Sequence, residues 1–481
     1  MEDVATQALD TAVAAGAGYA DVRAVVDETE SVTVQDQRVE GVARETTRGV
    51  GIRVLVDGAW GFAGTARLDR ASVDDAARRA VTIARASAGA RRKPVRLAPV
   101  AVLTGEYTTP HERDPFAVGI EDKLELLLAA TAAAAQTDGL AFSRASADAW
   151  KTAKWFVSSE GARLHQTLVQ VGGGVECFAV DDTQVQSRSF PNSSRGYCGT
   201  GGWEDIVALD LAGRAPHYAE ECVALLSAPE LDDATGTLVI DGSQVALQVH
   251  ESVGHPLELD RILGYEAAYA GTSWVAIADA AHLRYGSDLV NLTLDSTTPK
   301  GLGTYGFDDE GVPAGRHPLV VEGILNGFLT SRETAPALSD NERSNGTMRA
   351  ESWGAIPLIR MSNIHLEPGE GSFEELLDDT GDGIYMQTNR SWSIDDKRLN
   401  FQFGCEAAWE IRGGKLGRMF RNPTYNGKTP AFWGSCDAIA GPQEWKVHGT
   451  PNCGKGQPGQ VARVAHGAAP ARFRNVRMGS R

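Results

Sequence analysis

"VHESVGHPLELDR", residues 249–261, decides the reading of this 481-residue chain. It nearly repeats the His-Glu-x-x-His pattern that sets two imidazoles on one helical face for a zinc ion. Here, however, His255 follows His250 by five positions instead of four. Side chains four apart in an α-helix share a face, whereas those five apart diverge by about 140°. Both imidazoles can reach one ion only if the helix is distorted or ends between them. Gly254 and Pro256 flank His255, and proline disfavours the α conformation in the residue before it and clashes with the previous turn. The expectation is a break at 254–256 that swings His255 back beside His250.

Working outward, "TGTLVID" (235–241) is a strand leading straight into that helix. Downstream, short strand-like runs are separated by glycine pairs at 381 and 383, 413 and 414, and 454 and 456. Upstream, helices and strands mix. Residues 3–16 suit a helix, while "ADVRAVVDE", "SVTVQDQ" and "RGVGIRVLVDGAWGFAGTA" alternate as strands, with Asp57-Gly58 as a tight turn. "SVDDAARRAVTIARASA" reads as a helix capped by Ser72. A helix at about 120–137, long strand-like runs from Leu140 to about Ser189 and a helical stretch from Asp210 complete this part. The fold class is α+β. An N-terminal α+β domain (1–232) precedes a β-rich C-terminal domain (233–481) that carries the metal-site helix, with the boundary beside Pro229 and the acidic residues after it.

Composition narrows the function classes. A hydrophobic fraction of 42% and a charged fraction of 23% are those of a soluble globular protein. Net charge is −17, which disfavours nucleic acid and anionic membranes as partners. The N-terminus lacks a basic start followed by an apolar core, and "LELLLAATAAAA" (124–135) is too short to span a bilayer, so the expected location is cytoplasmic. Six scattered cysteines without a C-x-x-C pair are expected to remain thiols.

A catalytic zinc needs a third protein ligand. Cys453 in "GTPNCGKGQPGQ" is the candidate, because glycines after it permit close backbone approach and Lys455 would favour the thiolate. The alternative is a surface turn with an idle cysteine. The other eight histidines (His111, His165, His217, His282, His317, His365, His448 and His466) read as hydrogen-bonded core residues. "NGKTP" (426–430) lacks the glycine of a P-loop, and "DDTGDG" (378–383) reads as a turn instead of a calcium loop.

Taken in order, "RGVGIRVLVDGAWGFA", "HESVGHPLELDR", "GYEAAYAGTSW", "GLGTYGFDDEGVPAG", "NRSWSIDD", "FQFGCEAAWEI" and "PNCGKGQP" resemble the metal-bearing, TldD-like branch of the TldD/PmbA peptidases, also called modulators of DNA gyrase. The resemblance implies Zn2+ held by His250, His255 and Cys453, with Glu251 as catalytic base. It also implies a two-subunit assembly, with a second copy or a PmbA-like subunit. Together with strand edges that could hold an extended chain, it points to hydrolysis of short or unfolded peptides. The alternatives are a non-catalytic PmbA-like binding subunit, a cysteine hydrolase with His250 as base to Cys453, and a zinc amidase acting on a small molecule. Pro256 and Leu259 replace glycines of the best-known pattern and are expected to alter the pocket wall.

Overall fold

The computed structural model describes residues 1–193, 196–339 and 341–480. The first sheet grows around a single 17-residue strand, Tyr19–Gln35. The two runs expected as separate strands are one, because both edges are paired throughout. Arg38–Val56 lies on one side and Phe142–Ser158 on the other. Ala59–Thr65 extends the sheet beyond Arg38–Val56, across a turn in which Asp57 and Gly58 both have positive φ, as expected for this dipeptide. Arg163–Val180 extends it at the other side.

One face of this sheet is covered by two pairs of helices. Glu2–Ala14 and Arg70–Ala88 pack on the half that contains Val22 and Ala24. Ile120–Ala134 and Leu211–Ser227 pack on the half that contains Val32 and Val34. Alanines dominate the first contact, and a Cβ on Gly61 would stand 2.1 Å from the Ala80 carbonyl, so this position has to be glycine. The Arg70–Ala88 helix is capped by Asp69 and not by Ser72. The Asp69 carboxylate accepts from the Ser72 amide at 3.0 Å, one turn earlier than the expected start.

The C-terminal part is β-rich, as the sequence predicts. Five of its strands close into a ring: Gly383–Ile394, Ala234–Ile240, Ala471–Gly479, Thr424–Lys428 and Asn400–Arg412, the last pairing back to the first. Closure leaves these strands without a free edge. Aromatic side chains, among them Phe401, Phe403, Tyr425, Phe432 and Phe473, pack in its core. Ala234–Ile240 passes directly into the helix Gly242–Val249 through Asp241, whose carboxylate accepts from the Ser243 amide at 2.8 Å. The helix is tied to the barrel by Tyr425, whose hydroxyl accepts from Gln244 at 2.9 Å and donates to Gln248 at 3.1 Å.

A separate hairpin, Lys446–Lys455 with Gln460–Ala468, is the other element that matters for the site. "DDTGDG" ends the Phe373–Thr380 helix in a turn with Gly381 at φ 66°. All six cysteines are buried and none is in a disulfide, and among the described residues no helix is long and apolar enough to cross a membrane.

Candidate metal centre

The α-helix does not break at Gly254. At His250 it passes into a single π-turn, His250–Gly254, and then a 3-10 turn, His255–Leu257. The His255 amide donates to the His250 carbonyl, five residues back. A π-turn stacks residue i+5 over residue i, so the extra residue in the motif is absorbed by a wider turn that returns His255 to the face of His250. His255 keeps helical angles (φ −62°, ψ −43°) despite the proline after it, and the chain leaves helical geometry only at Glu258. Gly254 serves packing instead of flexibility: a Cβ there would stand 1.9 Å from Met361 Sδ. The wider turn frees carbonyls, and the Tyr285 hydroxyl donates to that of Ser252.

The two imidazoles stand with ring centroids 5.0 Å apart and planes perpendicular. Cys453, on the Lys446–Lys455 strand, brings its sulfur 3.7 Å from His255 Nε2, and ligand atoms of His250, His255 and Cys453 all lie within 4.8 Å of one another. Bonds of about 2.0–2.3 Å around a tetrahedral ion separate neighbouring donors by roughly 3.3–3.7 Å; the Cys453–His255 pair stands at that spacing, and two imidazoles with a thiol are donors suited to a transition-metal ion.

Hydrogen bonding fixes which nitrogens are free. His466 Nδ1 lies 3.0 Å from the Ile364 carbonyl and must donate to it, so its Nε2 accepts from His250 Nδ1 at 2.8 Å. His255 Nδ1 lies 3.1 Å from Glu258. The Nδ1 atoms of both imidazoles are thereby engaged, and His255 Nε2 is left toward the sulfur. Burial holds His250 below its ordinary pKa, which keeps it a neutral ligand. Burial opposes ionisation of Glu258, but Lys455 and His255 hold its carboxyl well below the usual range.

Contrary to the expectation that Lys455 favours the Cys453 thiolate, the charges that bear on the thiol are others. The Lys455 ammonium is buried among Asp260 (2.8 Å), Glu258 (3.1 Å) and Glu266 (3.3 Å). Burial works to raise the Cys453 thiol, and His255 and Arg360 outweigh it, leaving the thiol below its ordinary value. Of the glycines after Cys453, Gly456 makes a close approach, to Tyr269, and Gly454 faces open space.

Glu251 opens onto the same cleft, about 260 Å³, with His250, His255, Cys453, Trp392 and Arg398 in its wall. Arg398 Nη1 donates to Glu251 Oε2 at 2.5 Å. Burial would raise this carboxyl, but the cations around it, the Arg398 and Arg261 guanidiniums among them, hold it below the usual carboxylate range. Pro256 and Leu259 are buried, and neither lines the cleft, so they are not the pocket wall the sequence suggests.

Sequence reasoning brought His250, Glu251, His255 and Cys453 to one place. It missed Glu258, His466 and Arg398. Glu258 stands three residues after His255, a spacing that could have marked it. His466 is the core histidine expected, with a metal-facing imidazole as its partner, whereas His217 and His282 are exposed and not in the core.

Comparison with known proteins agrees with this arrangement. The chain matches the PmbA/TldA metallopeptidase C-terminal domain over residues 234–480, the central domain over 113–227 and domain 1 over 20–84. It is 29% identical over 461 residues to a metalloprotease of Methanothermobacter thermautotrophicus, covering 96% of this chain and 95% of the relative. A metalloprotease TldD homolog of Haemophilus influenzae is 24% identical, over 96% and 92% of the two chains. Among solved structures, a candidate modulator of a DNA gyrase from Thermotoga maritima superimposes with a TM-score of 0.79 at 16% identity, over 99% of each chain. At that identity the likeness is one of fold.

Proposed function

The chain belongs to the PmbA/TldD metallopeptidase family, and from that premise we propose that it is a zinc-dependent peptidase acting on short or unfolded peptides. The observation that carries the reading is the meeting of His250, His255 and Cys453 within 4.8 Å, from a helix and a strand far apart in sequence, with the Glu251 carboxyl in the same cleft wall. A zinc ion on these residues would polarise the scissile carbonyl and lower the pKa of water from 15.7 to roughly 7. Glu251 takes the proton of the attacking water and delivers it to the leaving amine, a contribution of about 10²–10⁴ in rate. His466 and Glu258 hold the two imidazoles in the ligating tautomer throughout. Arg360 and His255 favour the thiolate.

Substrate class follows from the strand that bears Cys453. Among the described residues Lys446–Lys455 pairs in a ladder only with Gln460–Ala468, and its residues 448–454 line the cleft. Its other edge can take an extended peptide through main-chain hydrogen bonds, which makes sequence preference broad and excludes folded chains. We place the enzyme in the cytoplasm as a dimer, with a second copy or a PmbA-like subunit. A solved structure of similar fold, from Thermococcus kodakarensis, is named TldE.

The test uses one protein substrate in its folded state and as unfolded fragments, digested by the zinc-loaded enzyme and by Glu251→Gln. Cleavage of the fragments alone, abolished in Glu251→Gln with metal retained, is expected. Equal digestion of both states, or near-normal turnover by Glu251→Gln, would contradict the reading.

A further inference from the structure

Hydrolysis of an amide builds negative charge on the carbonyl oxygen, and neither Glu251 nor the ligand set offers that oxygen a hydrogen bond. We propose that Arg398 is a catalytic residue whose guanidinium binds this oxyanion, an assignment that rests on the peptidase reading above.

Arg398 sits in the turn between the strands Gly383–Ile394 and Asn400–Arg412 with φ 62°, a left-handed conformation uncommon for a side chain of this size. The turn is held from several sides. The Arg398 amide donates to the Asp395 carbonyl at 2.8 Å, and the Leu399 amide to the Asp395 carboxylate at 2.8 Å. Thr429 Oγ1 donates to the Arg398 carbonyl at 2.9 Å. Arg261, on the segment that continues the metal helix, donates to the Asp396 carbonyl at 2.9 Å. The turn delivers the guanidinium into the cleft wall beside Glu251, with the side chain 18% exposed. A guanidinium has five N–H donors. Nη1 engages Glu251, and Nε is buried without a partner.

The geometry suits the reaction because base and oxyanion flank the same carbon. As water attacks, its oxygen bonds to the carbonyl carbon and the π pair moves to the carbonyl oxygen, while Glu251 takes the water proton. The carboxylate charge beside Arg398 is thereby neutralised as a new negative charge forms on the oxygen. The fork can follow the charge from one to the other without leaving its turn. When the C–N bond breaks, its pair goes to nitrogen, the oxygen pair re-forms the carbonyl, and the proton on Glu251 passes to the amine. A role confined to holding Glu251 also lowers kcat when the arginine is removed, but leaves the affinity for a tetrahedral anion unchanged.

The experiment compares wild type and Arg398→Ala, both zinc-loaded, on an unstructured 20-residue peptide and on a phosphinic analogue of it, whose tetrahedral anion mimics the oxyanion. Arg398→Ala should lose about 10²–10³ in kcat. KM and zinc content should be little changed, affinity for the phosphinic peptide by calorimetry should fall at least tenfold, and added methylguanidinium should restore part of kcat. Undiminished kcat, a loss confined to KM, or unchanged phosphinic affinity would overturn the assignment, and loss of zinc with kcat would make Arg398 structural. Phosphinic affinity decides for Arg398 even if the wild type cuts no peptide, an outcome that would count against the peptidase reading alone.

Discussion

Each metal-facing imidazole has its far nitrogen engaged, His255 by Glu258 and His250 by His466. These partners fix ring orientation, and in the proposed site they would set metal affinity without touching the ion. Glu258→Gln or His466→Ala should weaken zinc binding by about 10–100-fold, measured by competition with a chelator. Wild-type affinity in both would show that the two contacts are incidental. At this scale the sequence was legible wherever chemistry is local. His250, Glu251 and His255 stand in one motif, and Cys453 stands out in a glycine-rich turn. Arg398 and His466 were hidden because they arrive from a turn and a strand that no spacing relates to the motif. Lys455 was misjudged for a similar reason: its charge is spent on three carboxylates that only the fold brings to it.

The helix that carries the site shows where element-level reasoning succeeded and where it failed. The five-residue spacing correctly demanded a departure from α geometry. The rule for residues before proline then placed that departure too late. Packing explains the difference: Gly254 lies against Met361, and the chain keeps turning until Glu258. Gly254→Ala should therefore destabilise the fold by about 1–3 kcal/mol in denaturant unfolding, since a methyl must displace a buried methionine. Met361→Ala in the same chain should recover part of that loss, because the two positions compete for one space. Full stability of Gly254→Ala alone would mean the site tolerates a side chain at the π-turn. In the first sheet, the polar run Glu28-Thr29-Glu30 made one long strand look like two. The strand continues because Glu30 pairs with Lys123 and with Arg44, and both neighbouring strands keep register through it.

Across the whole molecule, the donor set joins parts that the chain order keeps apart. His250 and His255 leave the closed barrel on the helix that follows Ala234–Ile240, and Cys453 comes from a separate hairpin 198 residues beyond His255. That hairpin also supplies His466, so one element delivers both the cysteine of the candidate site and the hydrogen-bond partner of His250. The α+β class and the β-rich C-terminal part were readable from alternation and glycine punctuation. Barrel closure was not, because the pairing of Gly383–Ile394 with both Ala234–Ile240 and Asn400–Arg412 leaves no local mark. The central claim is that these three side chains form one zinc site, and metal analysis of the purified protein tests it most directly. About one zinc per chain is predicted for the wild type and for Glu251→Gln, with loss of the metal in Cys453→Ala. A wild type without stoichiometric metal, or a Cys453→Ala variant that retains it in full, would contradict the account.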